Sequence, residues 1–181
     1  MIKQKKIVAI SGSIREGSSN TNILKAAAAF IPQDIEYIIY DGIKDLPHFN
    51  PDVDRMKPED VVTNFRKIID ESDALIICTP EYAKGVPGVL KNALEWLVSS
   101  AELYKKPVAV ITASPSILGG DKAHESLMYT LGMMDATVVK NGSLLFPTVR
   151  TKFNDDATVK DESTKQELIA LINSLVDEIN N

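Results

Sequence analysis

The chain has 181 residues, 44% hydrophobic and 25% charged; a chain of this length buries about 70% of its unfolded surface, and the composition excludes disordered, collagen-like and coiled-coil classes. Twenty basic against twenty-five acidic side chains give a net charge of −5, which argues against nucleic acid or an anionic membrane as partner, because clustered Lys and Arg grip both. The single cysteine, Cys78, excludes an internal disulfide, and with only His48 and His124 beside it a Cys/His zinc site is not expected.

The start, Met1-Ile2-Lys3-Gln4-Lys5-Lys6, is charged like a leader. The apolar run behind it, Ile7 to Ile10, is too short for a signal peptide or a membrane span, so a cytoplasmic protein is expected. That run reads as a first strand buried on both faces. Ile23, Ala27, Phe30 and Ile31 recur at helical spacing after a polar loop. Ile35 to Tyr40 is a second strand. Residues 41–57, with Pro47 and Pro51, read as an irregular connection. Val61, Val62, Phe65, Ile68 and Ile69 mark a helix starting near Pro58. Ala74 to Cys78 is a third strand, and Val86, Val89, Leu90, Ala93, Leu94 and Leu97 form a helical stripe. Val108 to Thr112 is a fourth strand. Ala123, Leu127, Leu131 and Met134 mark a further helix. Ala136 to Val139 starts a fifth strand that can continue through Leu144-Leu145-Phe146. Leu168, Leu171, Ile172, Leu175 and Ile179 form the last helix.

Continuous Val/Ile/Leu strands separated by helices imply an α/β protein with a parallel sheet covered on both faces. Five such units predict a flavodoxin-like, doubly wound, five-stranded parallel sheet of order 2-1-3-4-5, in one domain over residues 1–181. Ligands of such sheets sit beyond the carboxyl ends of the strands, at the switch point between strands 1 and 3. The loops after strands 1, 3 and 4 are therefore expected to hold the chemistry.

The first of these loops, Ser11 to Thr21, carries six hydroxyl or amide side chains together with Arg15. Free N–H groups at a helix start, short hydroxyl donors and one strong cation are what a phosphate needs. The plain alternative is a capped helix start, since Ser, Asn and Thr favour N-caps on structural grounds. The loop has neither the G-x-G-x-x-G of dinucleotide folds nor the G-x-x-x-x-G-K-[ST] of nucleotide triphosphatases. A phosphate monoester held without magnesium fits better.

In the second loop, Thr79 to Gly88, Pro80 and Pro87 stiffen the two ends, so that backbone groups stand at fixed positions beside the aromatic face of Tyr82. Read alone, it is as well a Pro-Gly turn with a surface tyrosine. Downstream, Lys91 and Asn92 are expected to play a structural role, and Trp96 to lie in a core or an interface. In the third loop, Gly119-Gly120 allows either close approach to a ligand or a tight turn before the next helix. One loop suited to phosphate, one stiff and aromatic and one glycine-rich, meeting at one sheet edge, point to a mononucleotide with a large flat ring, hence flavin mononucleotide (FMN).

Three stretches then resemble the NADPH-dependent FMN reductase family, which includes flavodoxin-like quinone, chromate and azo reductases. They are Gly12-Ser13-Ile14-Arg15 with Ser18 and Asn20; Thr79-Pro80-Glu81-Tyr82 followed by Pro87-Gly88-Val89-Leu90-Lys91-Asn92-Ala93; and Ser114 through Gly119-Gly120. The resemblance implies that Ser13, Arg15, Ser18 and Asn20, with Ser19 through its backbone, hold the FMN phosphate. It implies that Pro80, Glu81 and Tyr82 contact the ring and ribityl chain, and that Ser114 and Gly119 flank the flavin. Ala83 stands where the family usually has Asn, so only a backbone contact is expected there. Ser116, Lys122 and His124 stand where glycine, arginine and glutamine are common.

The resemblance further implies NADPH or NADH as co-substrate, and a quinone, a free flavin or another small-molecule electrophile as electron acceptor. No catalytic side chain is implied, because the flavin carries the redox chemistry. A homodimer or homotetramer with the site near the subunit contact also follows from it. The choice between NADH and NADPH turns on a basic contact for which Arg150, Lys152 and Lys84 are candidates.

A flavodoxin-type electron carrier that binds FMN but does not oxidise NAD(P)H is the alternative; the Pro80-Glu81-Tyr82 loop and the modest charge argue against it. A phosphorelay receiver needs an acidic cluster after the first strand and an aspartate ending the third, where this chain has Ser11-Gly12-Ser13 and Thr79-Pro80. His124 reads as a surface or packing residue, and Cys78 as buried and inert. Asp155-Asp156 and Asp161-Glu162 read as a solvated turn and a helix start.

Overall fold

A computed structural model describes residues 4–154 and 156–181. The start of the charged leader-like segment, residues 1–3, and Asp155 of the acidic run lie outside the described residues. The strands are β1 (Lys5–Ser11), β2 (Ile35–Tyr40), β3 (Ala74–Thr79), β4 (Pro107–Ala113) and β5 (Thr137–Phe146). They form one parallel sheet in the order β2-β1-β3-β4-β5, as the alternation of apolar runs predicts. The helices are α1 (Ser19–Ala28), α2 (Pro51–Met56), α3 (Asp60–Asp70), α4 (Gly88–Glu95), α5 (Asp121–Met133) and α6 (Glu162–Asn180). No described helix is long and apolar enough to cross a membrane.

The strand pleat explains the layering. Successive side chains point to opposite faces. Ile7 and Ala9 of β1 join Ile76, Ala109 and Ile111 in the core under α1 and α6. Val8 and Ile10 join Leu75, Ile77, Val108 and Val110 under α3, α4 and α5. All six residues of β3 are buried, as the central strand of a two-sided sheet requires.

The connection from 41 to 57 is more ordered than its sequence predicts. It contains a 3₁₀ turn, Gly42–Asp45, and α2, whose N-cap Asn50 accepts from Asp52 N–H with Pro51 in the first turn. Asn92 and Trp96 hold this segment in place. Asn92 Oδ1 accepts from Phe49 N–H at 2.8 Å, and Asn92 Nδ2 and Trp96 Nε1 donate to Pro47 O at 2.9 and 2.8 Å. Trp96 is fully buried, so it is core. Smaller differences fall at element ends: Phe30 and Ile31 lie beyond α1, and Pro87 is the residue before α4. β5 does run on to Phe146, through a register irregularity opposite Val108 and Val110.

Candidate active site

The sheet register decides which loops meet. Ser11 stands beside Cys78, and Thr79 beside Thr112. β1, β3 and β4 therefore end at one level, and their loops open side by side. Gly12 begins the first loop with its N–H donating to Cys78 O at 2.8 Å. A Cβ there would overlap the side chain of Thr79, so only glycine allows this approach.

The first loop is then closed by its own hydroxyls. Ser11 Oγ donates to Ser13 O at 3.1 Å and accepts from Ser13 N–H and from the Thr21 hydroxyl. Ser13 Oγ accepts from Arg15 N–H at 3.4 Å. Ser18 is the N-cap of α1, its hydroxyl accepting from Asn20 N–H at 3.3 Å. The N–H groups of Ser19 and Thr21 have no intrahelical acceptor, as at any helix start. The loop caps the helix, as the plain alternative expects, and leaves N–H donors at the helix start.

Asn20 is buried, and its Oδ1 accepts from the Cys78 thiol at 3.3 Å. Burial pushes that thiol well above its usual range, so it stays protonated and keeps the proton that it donates to Asn20. With Oδ1 engaged, the amide's remaining group is Nδ2, a donor. Cys78 is therefore buried, as expected, but bonded to a predicted site residue.

In the second loop, Tyr82 and Gly85 form an antiparallel bridge, with Tyr82 N–H donating to Gly85 O at 2.9 Å and Gly85 N–H to Tyr82 O at 3.1 Å. Between them Ala83 and Lys84 have φ of +50° and +62°, the signature of a type I′ turn. That turn aims the half-exposed Tyr82 back at the first loop, its hydroxyl 3.5 Å from Ser13 Oγ. The Glu81 carboxylate points elsewhere. Its Oε2 accepts from Lys122 and Ala123 N–H at 3.0 and 3.2 Å, at the start of α5, and Lys84 Nζ lies 3.6 Å from Oε1.

The third loop is tied to the end of β5. Ser114 N–H donates to Phe146 O, Val149 N–H to Ser114 O and Thr148 N–H to Ser116 O. Ser114 Oγ accepts from Ser116 N–H at 3.2 Å. The left-handed Gly120, φ +88°, precedes α5 against Thr112 and Glu81, where a Cβ would collide with Thr112. His124 lies between Thr112 Oγ1 and Ser143 Oγ, 2.8 Å from each. Burial lowers its pKa, so it packs as a neutral imidazole, in line with the packing role read from sequence.

These loops enclose a cavity of about 340 Å³. It brings together Ser13, Arg15, Ser18, Ser19, Asn20, Pro80 and Tyr82 of the residues predicted from sequence. Glu81, Ala83, Ser114 and Gly119 lie outside its lining, although Ala113 and Pro115 beside Ser114 belong to it. Arg150 and Val149 also line it. They belong to a short 3₁₀ turn, Val149–Thr151, that carries no motif. Arg150 is the one of the three basic candidates found here. Lys84 faces Glu81, and Lys152 Nζ donates to Thr164 Oγ1 at 3.2 Å.

The cavity lining combines two kinds of residue. One set is polar, Arg15, Arg150, the α1 start, hydroxyls and the Asn20 amide, and the lining holds no carboxylate. The other set is apolar or aromatic, Pro80, Tyr82, Ala113, Pro115 and Val149. No group of three or more His, Cys, Asp or Glu that could hold a metal occurs among the described residues. An anion and a flat apolar body together match this mixed donor set, so the residues present suit FMN.

A parallel 2-1-3-4-5 sheet with a phosphate-type loop at its switch point defines a flavodoxin-like protein. Residues 5–151 match the NADPH-dependent FMN reductase family. An NAD(P)H-dependent FMN reductase of Pseudomonas aeruginosa is 31% identical over 163 residues, covering 89% of this chain and 88% of that protein. A quinone reductase of Escherichia coli is 30% identical over 155 residues, covering 84% and 82%. Among solved structures, the flavoenzyme NAD(P)H:(acceptor) oxidoreductase FerB of Paracoccus denitrificans superposes with a TM-score of 0.86 at 28% identity, covering 97% of each chain. The chain belongs to the NADPH-dependent FMN reductase family, and with it come FMN as cofactor and NAD(P)H as reductant.

Proposed function

We propose that the chain is an FMN-dependent reductase that uses NAD(P)H to reduce quinones. The observation that carries this reading is one cavity whose lining joins the donors and cations Arg15, Arg150 and the α1 start to the apolar surface of Pro80, Tyr82 and Pro115. The quinone acceptor is supported by the quinone reductases of Escherichia coli and Pseudomonas putida, each 30% identical to this chain.

When bound, FMN supplies the acceptance of a hydride and its delivery to the acceptor. The protein's residues bind and orient. Arg15 and Arg150 offer charge-assisted hydrogen bonds to the phosphate. Ser13, Ser18 and the Ser19 N–H add neutral donors, and Asn20 adds Nδ2. Pro80 and Tyr82 fix the height of the ring through a loop with little freedom. Glu81 contributes by joining that loop to α5, rather than by touching the ring with its carboxylate. Ala83 and Gly119 contribute through backbone beside the ring, and Ser114, whose N–H and C=O bond Phe146 and Val149, flanks the flavin by holding the third loop in place.

The chain acts as one domain over residues 1–181, as a cytoplasmic homodimer or homotetramer. Ile117, Leu118 and Leu145 support the oligomer, because they expose apolar surface beside the third loop. Steady-state assays with NADH and NADPH against a quinone panel, with and without added FMN, test the reading. Flavin-dependent quinone reduction is expected. Purified protein that is colourless and takes up no added FMN would overturn it.

A further inference from the structure

A second cavity, of about 460 Å³, adjoins the first and shares Arg15, Ser19 and Arg150 with it. Its other polar lining comes from Asn22, Asn154 and Lys160. Three cations and no carboxylate among the described lining residues meet here, in a chain of net charge −5. None of the three cations pairs with a carboxylate among the described residues. Arg15 Nη2 donates to Gly17 O at 3.3 Å, and Lys160 Nζ to Arg150 O at 2.9 Å.

The placement of Lys160 is built by the fold. Phe153 and Val159 form an antiparallel bridge, and Lys160 N–H donates to Lys152 O at 2.8 Å. These bonds return Lys160 to the turn that carries Arg150. Like charges gathered in this way repel unless an anion lies among them. One phosphate monoester at the α1 start leaves Lys160 uncompensated, since Lys160 does not line the first cavity.

We propose that this second cavity receives the 2′-phosphate of NADPH, with Lys160 as the residue that makes the enzyme prefer NADPH to NADH. The proposal rests on the reading that the chain draws hydride from a nicotinamide dinucleotide. NADPH carries a dianionic monoester that NADH lacks, and the cavity adjoins the flavin site the dinucleotide must reach. The pyrophosphate common to both dinucleotides would give no preference.

The test uses the FMN-loaded protein and Lys160→Met, which keeps the bulk of the side chain and removes its charge. Loss of a charge-assisted hydrogen bond is expected to raise KM for NADPH about tenfold, with KM for NADH and the affinity for FMN unchanged. Calorimetric titration gives a readout independent of turnover. Adenosine 2′,5′-bisphosphate is expected to bind the wild type and to bind Lys160→Met about tenfold more weakly, while adenosine 5′-monophosphate does not distinguish the two. Equal effects on NADPH and NADH would overturn the proposal, as would a fall in FMN affinity or a wild type with no preference. Inorganic phosphate competing as well as the bisphosphate would also overturn it, marking a general anion pocket. A wild type that oxidises neither dinucleotide would sink the functional reading, and the bisphosphate titration would still decide the pocket.

Discussion

The Cys78 thiol donates to Asn20 Oδ1 across 3.3 Å, joining the central strand to the first turn of α1. Because burial holds the thiol in its protonated form, the bond fixes which end of the Asn20 amide can face an anion. Cys78→Ala is expected to free the amide and weaken FMN binding by about 1 kcal/mol, roughly fivefold. Cys78→Ser, which keeps a donor, is expected to stay close to the wild type. Flavin fluorescence titrations of the apoprotein check both, and equal affinities for wild type and Cys78→Ala would mean that other contacts orient Asn20.

Arg15 is exposed, and its guanidinium bonds a carbonyl in its own loop, Gly17 O. It is thus available to close over a phosphate. Arg15→Ala is expected to cost about 1–3 kcal/mol of FMN affinity through loss of a charge-assisted hydrogen bond. The loss should shrink as salt is raised, because screening weakens the wild-type contact. A salt-independent defect would point to a disturbed loop.

Ala83 takes a left-handed backbone, φ +50°, in the two-residue turn between Tyr82 and Gly85. An L-residue with a Cβ pays roughly 1 kcal/mol there relative to glycine. Ala83→Gly and Ala83→Asn are both expected to raise the midpoint of urea denaturation. A lower midpoint in both would show that the turn is not strained.

His124 gives a pH signature. Burial lowers its pKa, so the folded imidazole resists protonation more than the unfolded one. Above an unfolded value of about 6.5 the ring is neutral in both states and its contribution is complete. As pH falls below that value the unfolded chain binds the proton first, and stability declines until the folded ring is also protonated. His124→Gln is expected to flatten this slope between pH 7.5 and 5, about the range in which histidine titrates. Urea denaturation at several pH values reads it directly, and an unchanged slope would assign the dependence to other groups.

The strands and their order were legible because each is an apolar run set apart by turns, and β3 has no exposed position to blur the pattern. α2 was hidden for the opposite reason. None of its residues is buried, so it has no apolar stripe, and its trace in the sequence is the Asn50-Pro51 pair that suits a helix start. The phosphate loop could be read from its hydroxyls, glycines and arginine, since the donors come from one contiguous stretch. Arg150 reaches the cavity only through the tie between Ser114 and the segment after β5. That is a tertiary fact, and no local pattern foretells it. The tie from Glu81 to α5 is not legible, because a motif fixes a residue's position in the chain but not the direction of its carboxylate.

That carboxylate spans a sequence separation of 41 residues to bond Lys122 N–H. The aromatic wall and the glycine-rich bend are consequently one mechanical piece, sharing a single pin. Neither can shift alone to welcome a bulkier guest. A single carboxylate thus couples two surfaces that the chain order sets far apart.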